Sequence, residues 1–288
     1  MKKFFALLLA LMMSLSLVAC GGNDAAEEAP AEDAAVEDTV VEETPESDAA
    51  YIEGNGKLVV GITIYEPMNY YDDAGNLIGF DTEFAQAVCD KLGLEAEFQE
   101  INWDTKEIEL AGKTIDCIWN GMTITPDRAA NMSISLPYVK NAQVIVVKAD
   151  SAYASTADLV DATLVAEMGS AGEAQIEGED ANADLAQAEY VGMNKQTDCL
   201  MEVKAGTADA AVLDWTLAKS MVGEGTDFAD LKMIEGVELA TEEYGIAFRQ
   251  GSDFTAKVDE AVKALVADGT LPALAEKYGL ALAPAIAG

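Results

Sequence analysis

Short apolar runs of strand type alternate with stretches of helical spacing along most of this chain, and that alternation limits its fold more than any other feature. Residues 57–62 (Lys-Leu-Val-Val-Gly-Ile) read as a buried strand, and a loop rich in Tyr, Asp, Asn and Gly follows to Gly79. Asp81 is expected to cap a helix running to Leu92, with Phe84, Val88 and Leu92 on one face and Gly93 as its stop. A strand over 94–101, a short helix over 104–110 and a strand over 115–120 come next. After the continuous apolar strand 143–147 the rhythm restarts: strand 163–166, a helix from about Gly172, helix 197–204, strand 210–213 and helix 215–222. Strand 244–248 and helices 253–267 and 271–278 complete the pattern. Phe254, Val258, Val262 and Leu265 recur at helical spacing and read as core. Strands alternating with helices in this way indicate an α/β fold with a largely parallel sheet. Gly-Lys-Thr-Ile-Asp-Cys-Ile at 112–118 is echoed by Gly-Thr-Ala-Asp-Ala-Ala-Val at 206–212, which fits two similar lobes. Ligands in open α/β sheets bind at the carboxyl ends of strands, so two lobes would set such ends face to face across a cleft.

Composition removes whole classes of chemistry. The 238 residues from 51 to 288 carry 41 acidic and 15 basic side chains, a net charge of −26. Nucleic acid and anionic membrane surfaces are therefore poor partners for this part. The chain has no histidine, which removes Ser-His-Asp and Cys-His nucleophile systems, the helical zincin motif and nearly all ordinary zinc sites. Neither a cofactor nor a metal is expected. Cys89, Cys117 and Cys199 have no short spacing, which argues against a disulfide framework or a metal cluster. Buried free thiols fit them, with a Cys89–Cys117 bridge still open.

Residues 120–128 read Asn-Gly-Met-Thr-Ile-Thr-Pro-Asp-Arg after the apolar Cys117-Ile118-Trp119. Thr125 looks like a helix N-cap, and Pro126 a first helical residue, since proline has no N–H to lose there. Arg128 then falls in the first turn, where the helix dipole disfavours a cation by a few tenths of a kcal/mol. A cation placed against the dipole, beside a strand-end glycine and two hydroxyls, points to a bound anion. The competing reading pairs Arg128 with Asp104 or Asp127.

The first fifty residues do not belong to the folded part. Lys2 and Lys3 precede an apolar run from Phe4 to Val18, a secretion signal too short to span a membrane comfortably. Its ending, Leu17-Val18-Ala19-Cys20, resembles the bacterial lipobox, which implies cleavage before Cys20 and lipidation of its sulfur. Residues 21–50 hold eleven Asp or Glu and no Lys or Arg. Such a segment buries too little apolar surface to fold and serves as an extended acidic tether.

Three motifs carry a resemblance to a known family. Gly79-Phe80-Asp81-Thr82-Glu83-Phe84-Ala85-Gln86-Ala87-Val88-Cys89-Asp90-Lys91-Leu92 is similar to the signature of the family-3 extracellular solute-binding proteins, the polar amino-acid receptors of ABC importers. Gly121-Met122-Thr123-Ile124-Thr125, with Arg128, resembles its second hallmark. Asp268-Gly269-Thr270-Leu271 with Lys277-Tyr278-Gly279 resembles its ending. The resemblance covers about residues 55–280, in order and spacing. It implies the type II periplasmic-binding-protein fold: two α/β lobes joined by two crossover strands, with a ligand cleft between them. The expected lobes are 51–142 plus 240–288, and 143–239, in a monomer. The implied partners are a free amino acid, an ABC permease and, through the lipid anchor, the outer face of the cell membrane.

By the same resemblance, Arg128 forks onto the ligand's α-carboxylate, a planar pairing that Lys would not reproduce. Thr123 donates its hydroxyl to that carboxylate, and Gly121 offers a carbonyl to the α-ammonium. From the other lobe, Ser170 and Ala171 bring helix N–H groups to the carboxylate, and Asp214 pairs with the ammonium. Asp214 could equally cap the helix beginning at Trp215. Tyr65 and Trp103 sandwich the ligand's side chain, where aromatic faces suit an aliphatic stem or a cation. The first-lobe loop has Ile62-Thr63-Ile64 where many members carry an acid. Glu167, two residues before Gly169, falls where the family contacts the ligand side chain, and Asn120 is a further pocket candidate. A lone buried Glu is costly, so Glu167 is expected to receive a cationic or amide side chain: Arg, Lys, ornithine or Gln over Glu. The leading reading is a binding protein and no enzyme. The alternatives are a lipid-anchored sensor module and a cyclohexadienyl-dehydratase-like enzyme with Glu167 as general acid.

Overall fold

The computed structural model describes residues 47–287; the signal segment, Cys20 and the tether through residue 46 lie outside the described residues. In chain order it contains α1 (Asp48–Asn55), β1 (Lys57–Ile62), β2 (Tyr70–Tyr71), β3 (Leu77–Ile78), α2 (Phe80–Leu92), β4 (Glu95–Glu100), α3 (Lys106–Ala111), β5 (Cys117–Thr123) and α4 (Pro126–Asn131). Then come β6 (Met132–Ile134), β7 (Val139–Lys148), β8 (Thr163–Glu167), α5 (Ala171–Glu177), β9 (Glu189–Met193), α6 (Gln196–Ala205), β10 (Ala210–Asp214), α7 (Trp215–Met221), β11 (Leu231–Arg249), α8 (Phe254–Ala267) and α9 (Thr270–Tyr278). Short 3₁₀ turns fill several connections, one of them at Trp103–Thr105. Among the described residues no helix is long and apolar enough to cross a membrane.

One sheet runs β4-β1-β5-β11-β7-β10-β8-β9, with β6 against β11. The outer strands pair in parallel within two groups: β1 with β4 and β5, and β8 with β9 and β10. Within this sheet, every antiparallel pairing among the described residues involves β7 or β11, and β2 and β3 form a separate antiparallel pair. The sheet is therefore mixed where a largely parallel one was expected, because two strands cross between groups. β11 pairs with β7 from Leu231 to Tyr244 and with β5 from Tyr244 to Phe248. Its first part thus belongs with the second group and its end with the first.

Local physics explains where the element boundaries moved. α2 starts at Phe80, and its cap is Gly79, not Asp81. The carbonyls of Pro67 and Met68 accept the N–H groups of Phe80, Asp81 and Thr82, so the cap comes from a neighbouring loop. Gly79 sits at φ 126°, and a Cβ there would lie 2.2 Å from the Met68 carbonyl oxygen. Asp81 is released for the interior, where Oδ2 accepts from Gly121 N–H at 2.7 Å and the Tyr138 hydroxyl at 2.9 Å. α1 begins three residues inside the stretch read as tether. Ser47 caps it at Ala50 N–H, and Asp48 meets Arg249 Nε at 2.6 Å.

Phe80, Phe84 and Val88 form the buried face of α2. Phe84 meets Trp119 edge-on at 4.9 Å and Tyr138 at 5.6 Å. Each fully buried side chain of this size contributes about 1.5–3 kcal/mol. The expected α8 stripe of Phe254, Val258, Val262 and Leu265 is buried, and Cys89, Cys117 and Cys199 are free and buried.

Candidate functional site

The carboxyl ends of β1, β5, β8 and β10 converge near the two crossover strands, and the predicted residues gather there. Thr125 caps α4 by accepting from Arg128 N–H at 3.2 Å, which fixes the start of a short helix and turns Arg128 inward to 9% exposure. Its Nη1 donates to the Thr123 carbonyl at 2.8 Å, and its Nη2 to the Gly169 carbonyl of the other group at 2.9 Å. Asp104 and Asp127 form no ion pair with it among the described residues. Burial lowers the guanidinium's pKa, opposed first by the charge of Glu242 and then by Glu107, Asp214 and Glu167. A buried cation held only by carbonyl oxygens keeps capacity for an anion.

Gly121 makes room for two aromatic rings. At φ 58°, a Cβ on it would lie 2.6 Å from Tyr65 Cε1 and 3.1 Å from Tyr244 Cε2. The two tyrosines meet at 79° with ring centroids 6.5 Å apart and hydroxyls 2.5 Å apart. Tyr244 donates onward to Asp214 Oδ1 at 3.0 Å, so the Tyr65 hydroxyl must be the donor to Tyr244. This relay links the first strand group to the second.

Asp214 ends β10 at the cap position of α7, but its side chain makes no capping bond. Thr216 N–H is instead held by Asn141 Oδ1 at 3.1 Å. That frees the carboxylate to accept from Asn141 and Gln143, the latter at 2.8 Å, and from Gln196. Strand register explains the cluster, since Gln143 on β7 faces Asp214 on β10, and Asn141 faces Glu242 on β11. The same two amides donate to Glu242 at 2.5 and 2.7 Å. Two carboxylates in one buried place repel each other. Burial, then the charge of Asp214, push Glu242 up to about 7, and burial raises Asp214. Gln143 Oε1 is buried with no partner among the described residues.

Glu167, at the end of β8, is 3% exposed. Burial and Asp214 push it up to about 8, with Lys106 and Gln196 acting in opposition. Trp103 is 5% exposed and has the Lys106 ammonium 4.9 Å from its ring centre. Ser170 caps α5 through Glu173 N–H at 3.0 Å, and Gly169 N–H goes to Glu173 Oε2 at 2.7 Å. The Ala171 and Gly172 amides precede the first helical bond, as in any helix start.

Two of the expected contact residues also bond within the chain. Asn120 gives both amide hydrogens to Thr63 O and Asn69 Oδ1, at 2.8 and 2.7 Å, and accepts from the Thr63 hydroxyl at 2.7 Å. These bonds brace the loop carrying Tyr65. The Thr123 carbonyl holds Arg128, and its hydroxyl acts to lower the pKa of Glu242. Sequence reasoning missed Lys106, Asn141, Gln143, Gln196, Glu242 and Tyr244. Polar Asn141 and Gln143 inside an apolar run were the available signal.

A cavity of about 540 Å³ lies between α4 and α5, with Arg128, Ser170 and Ala171 in its lining. A larger one, about 1100 Å³, runs along β6, β11 and α8 and touches the site only through Glu242. The first meets the site at Arg128, Ser170 and Ala171, and none of Tyr65, Trp103, Glu167 or Asp214 lines it.

Comparison with known proteins agrees with the fold. The model of the family described as bacterial extracellular solute-binding proteins, family 3, matches residues 58–281. The arginine-binding extracellular protein ArtP of Bacillus subtilis is 28% identical over 281 residues, 96% of this chain and 98% of that protein. A crystal structure of a mutant of ArgBP from T. maritima superposes with a TM-score of 0.73 at 33% identity, over 81% of this chain and 99% of that one. The ancestral amino acid-binding protein AncCDT-1, a precursor of cyclohexadienyl dehydratase, gives 0.71 at 29% identity, over 81% and 99%. Two parallel strand groups joined by β7 and β11 are the type II periplasmic-binding-protein fold.

Proposed function

The chain belongs to the bacterial extracellular solute-binding proteins, family 3, and on that premise we propose that it is an extracytoplasmic receptor for a free α-amino acid, which it delivers to an ABC importer. The observation that carries the proposal is the placement of Arg128 and Asp214. A buried cation from α4 and a buried carboxylate from the end of β10 lie on opposite sides of the crossover strands. An α-amino acid is the small solute whose two backbone charges match such a pair. Arg128 takes the carboxylate, with the first amides of α5 beside it. Asp214, joined by Glu242 and the unpartnered Gln143 Oε1, takes the ammonium. Tyr65 and Trp103 flank the side chain, and Glu167 favours a polar one, cationic or amide. Charge-assisted bonds of about 1.5–3 kcal/mol each can together reach the roughly −8 kcal/mol of a micromolar receptor.

In the same reading residues 1–20 are a signal, Cys20 carries the lipid anchor and the acidic tether lifts the lobes off the membrane. The lobes divide at 142/143 and 239/240, with α1 added to the first. The receptor is a monomer without chemistry of its own. Native mass spectrometry of freshly purified protein tests the proposal. A retained α-amino acid, lost on mild denaturation, is the expected result; a retained solute without a free α-ammonium or α-carboxylate contradicts it. An enzymatic reading has one feature in its favour, the burial that pushes Glu167 up to about 8. Turnover of a cyclic amino acid such as arogenate would support it.

A further inference from the structure

Lys106 opens α3, and a lysine on so short a helix is ordinarily solvated. Here it is 4% exposed. Its Nζ donates to the Trp103 carbonyl at 3.0 Å and, across the cleft, to the Gly169 carbonyl at 2.9 Å. The same ammonium stands 4.9 Å from the centre of the Trp103 ring. Gly169 O is also the acceptor for Arg128 Nη2, so two first-lobe cations converge on one oxygen of the second lobe. Burial pushes the Lys106 pKa down to about 8, aided by the charge of Arg128 and opposed by Glu107, Glu167 and Asp104. Lys106 in turn acts to keep Glu167 ionised.

Two consequences follow for a ligand's side chain. One face of Trp103 already has a cation near it. Glu167 already has a positive charge nearby, so it does not require one from the ligand. A guanidinium or ammonium entering between Trp103 and Glu167 would meet like charges from Lys106 and Arg128, unless it displaced Lys106 from two carbonyl bonds. We propose that Lys106 is a specificity-determining residue, a cation tethered beside the Trp103 ring by two carbonyl bonds. It selects α-amino acids with a neutral, hydrogen-bonding side chain, an amide above all, against those with a cationic one. The inference rests on the α-amino-acid reading of the cleft and narrows its ligand class.

Titration calorimetry of the protein, Lys106→Met and Lys106→Arg with glutamine, asparagine, arginine and lysine tests it. Methionine keeps the length of the apolar stem and removes the charge. The parent is expected to bind glutamine or asparagine at least about tenfold more tightly than arginine or lysine, a tenfold step being about 1.4 kcal/mol. Lys106→Met should shift that ratio at least about tenfold toward the cationic ligands, and Lys106→Arg should preserve it. A lysine that only latches the closed lobes would weaken all four ligands by one factor; an unchanged ratio in Lys106→Met therefore overturns the proposal. So does a parent that prefers arginine, a result that needs no variant to fold. A parent that binds no α-amino acid overturns the underlying reading, and this proposal with it.

Discussion

Gly121 shows how one residue without a side chain sets the shape of the site. Its positive φ is a conformation that L side chains rarely adopt, and its missing Cβ lets Tyr65 and Tyr244 approach the strand. Gly121→Ala should destabilise the fold by about 1–3 kcal/mol through backbone strain and weaken ligand binding by about tenfold or more as Tyr65 is displaced. Urea midpoints and calorimetry on parent and variant check this; equal stability with equal affinity would sink it. Arg128 stood out in the sequence because it breaks a local rule, a cation at a helix start, whereas Asp214 was reached only through the family resemblance, since an acid between a strand and a helix is an ordinary cap. Lys106 also puts a cation at a helix start, but nothing beside it in the sequence points to an anion, and Glu242 breaks no rule. A lysine opening a helix and a glutamate in an acid-rich run are ordinary surface choices, and only the tertiary fold buries them.

Elements built from continuous apolar runs could be read because burial on both faces demands such runs. β1, β5, β8 and β10 lie within a few residues of expectation. The early part of β11 could not be read. Glu235, Glu238, Glu242 and Glu243 interrupt its pattern, and the strand is held by pairing along β7, a long-range partner. β9 was hidden for a similar reason, since it is an edge strand whose burial alternates between exposed and half-buried. The helix start at Gly79 shows a different limit. Asp81 satisfied the local capping rule, but carbonyls of residues 67 and 68 reached the orphan amides first. The acid was thereby freed to brace Gly121 from below the site.

The whole molecule gathers buried carboxyls around its cleft, and this sets its response to pH. Burial pushes Asp81 up to about 7, Glu242 up to about 7 and Glu167 up to about 8. Each folded value lies above the ordinary 3.8 or 4.5, so the native state binds more protons than the unfolded chain between those values and about 7–8. The stabilisation is complete below the ordinary values and is lost as pH rises through 7–8. Asp268, held at about 2 by Lys91 and Thr270, acts with the opposite sign only in stronger acid. The protein stripped of ligand should therefore gain stability, on the order of a few kcal/mol, as pH falls from 8.5 to 5.5. Urea midpoints across that range check it, with Asp81→Asn flattening the profile. A midpoint that falls on mild acidification would contradict the assignment.

The central claim is that Arg128 and Asp214 clamp the two backbone charges of an amino acid across the cleft. Calorimetric titration of the parent and of Arg128→Ala with the amino acid found bound to the purified protein tests it most directly. Removing a guanidinium that makes two charge-assisted bonds should weaken binding by about a hundredfold or more, while circular dichroism and thermal unfolding still report a folded protein. An Arg128→Ala variant that binds the same amino acid as tightly as the parent would contradict it.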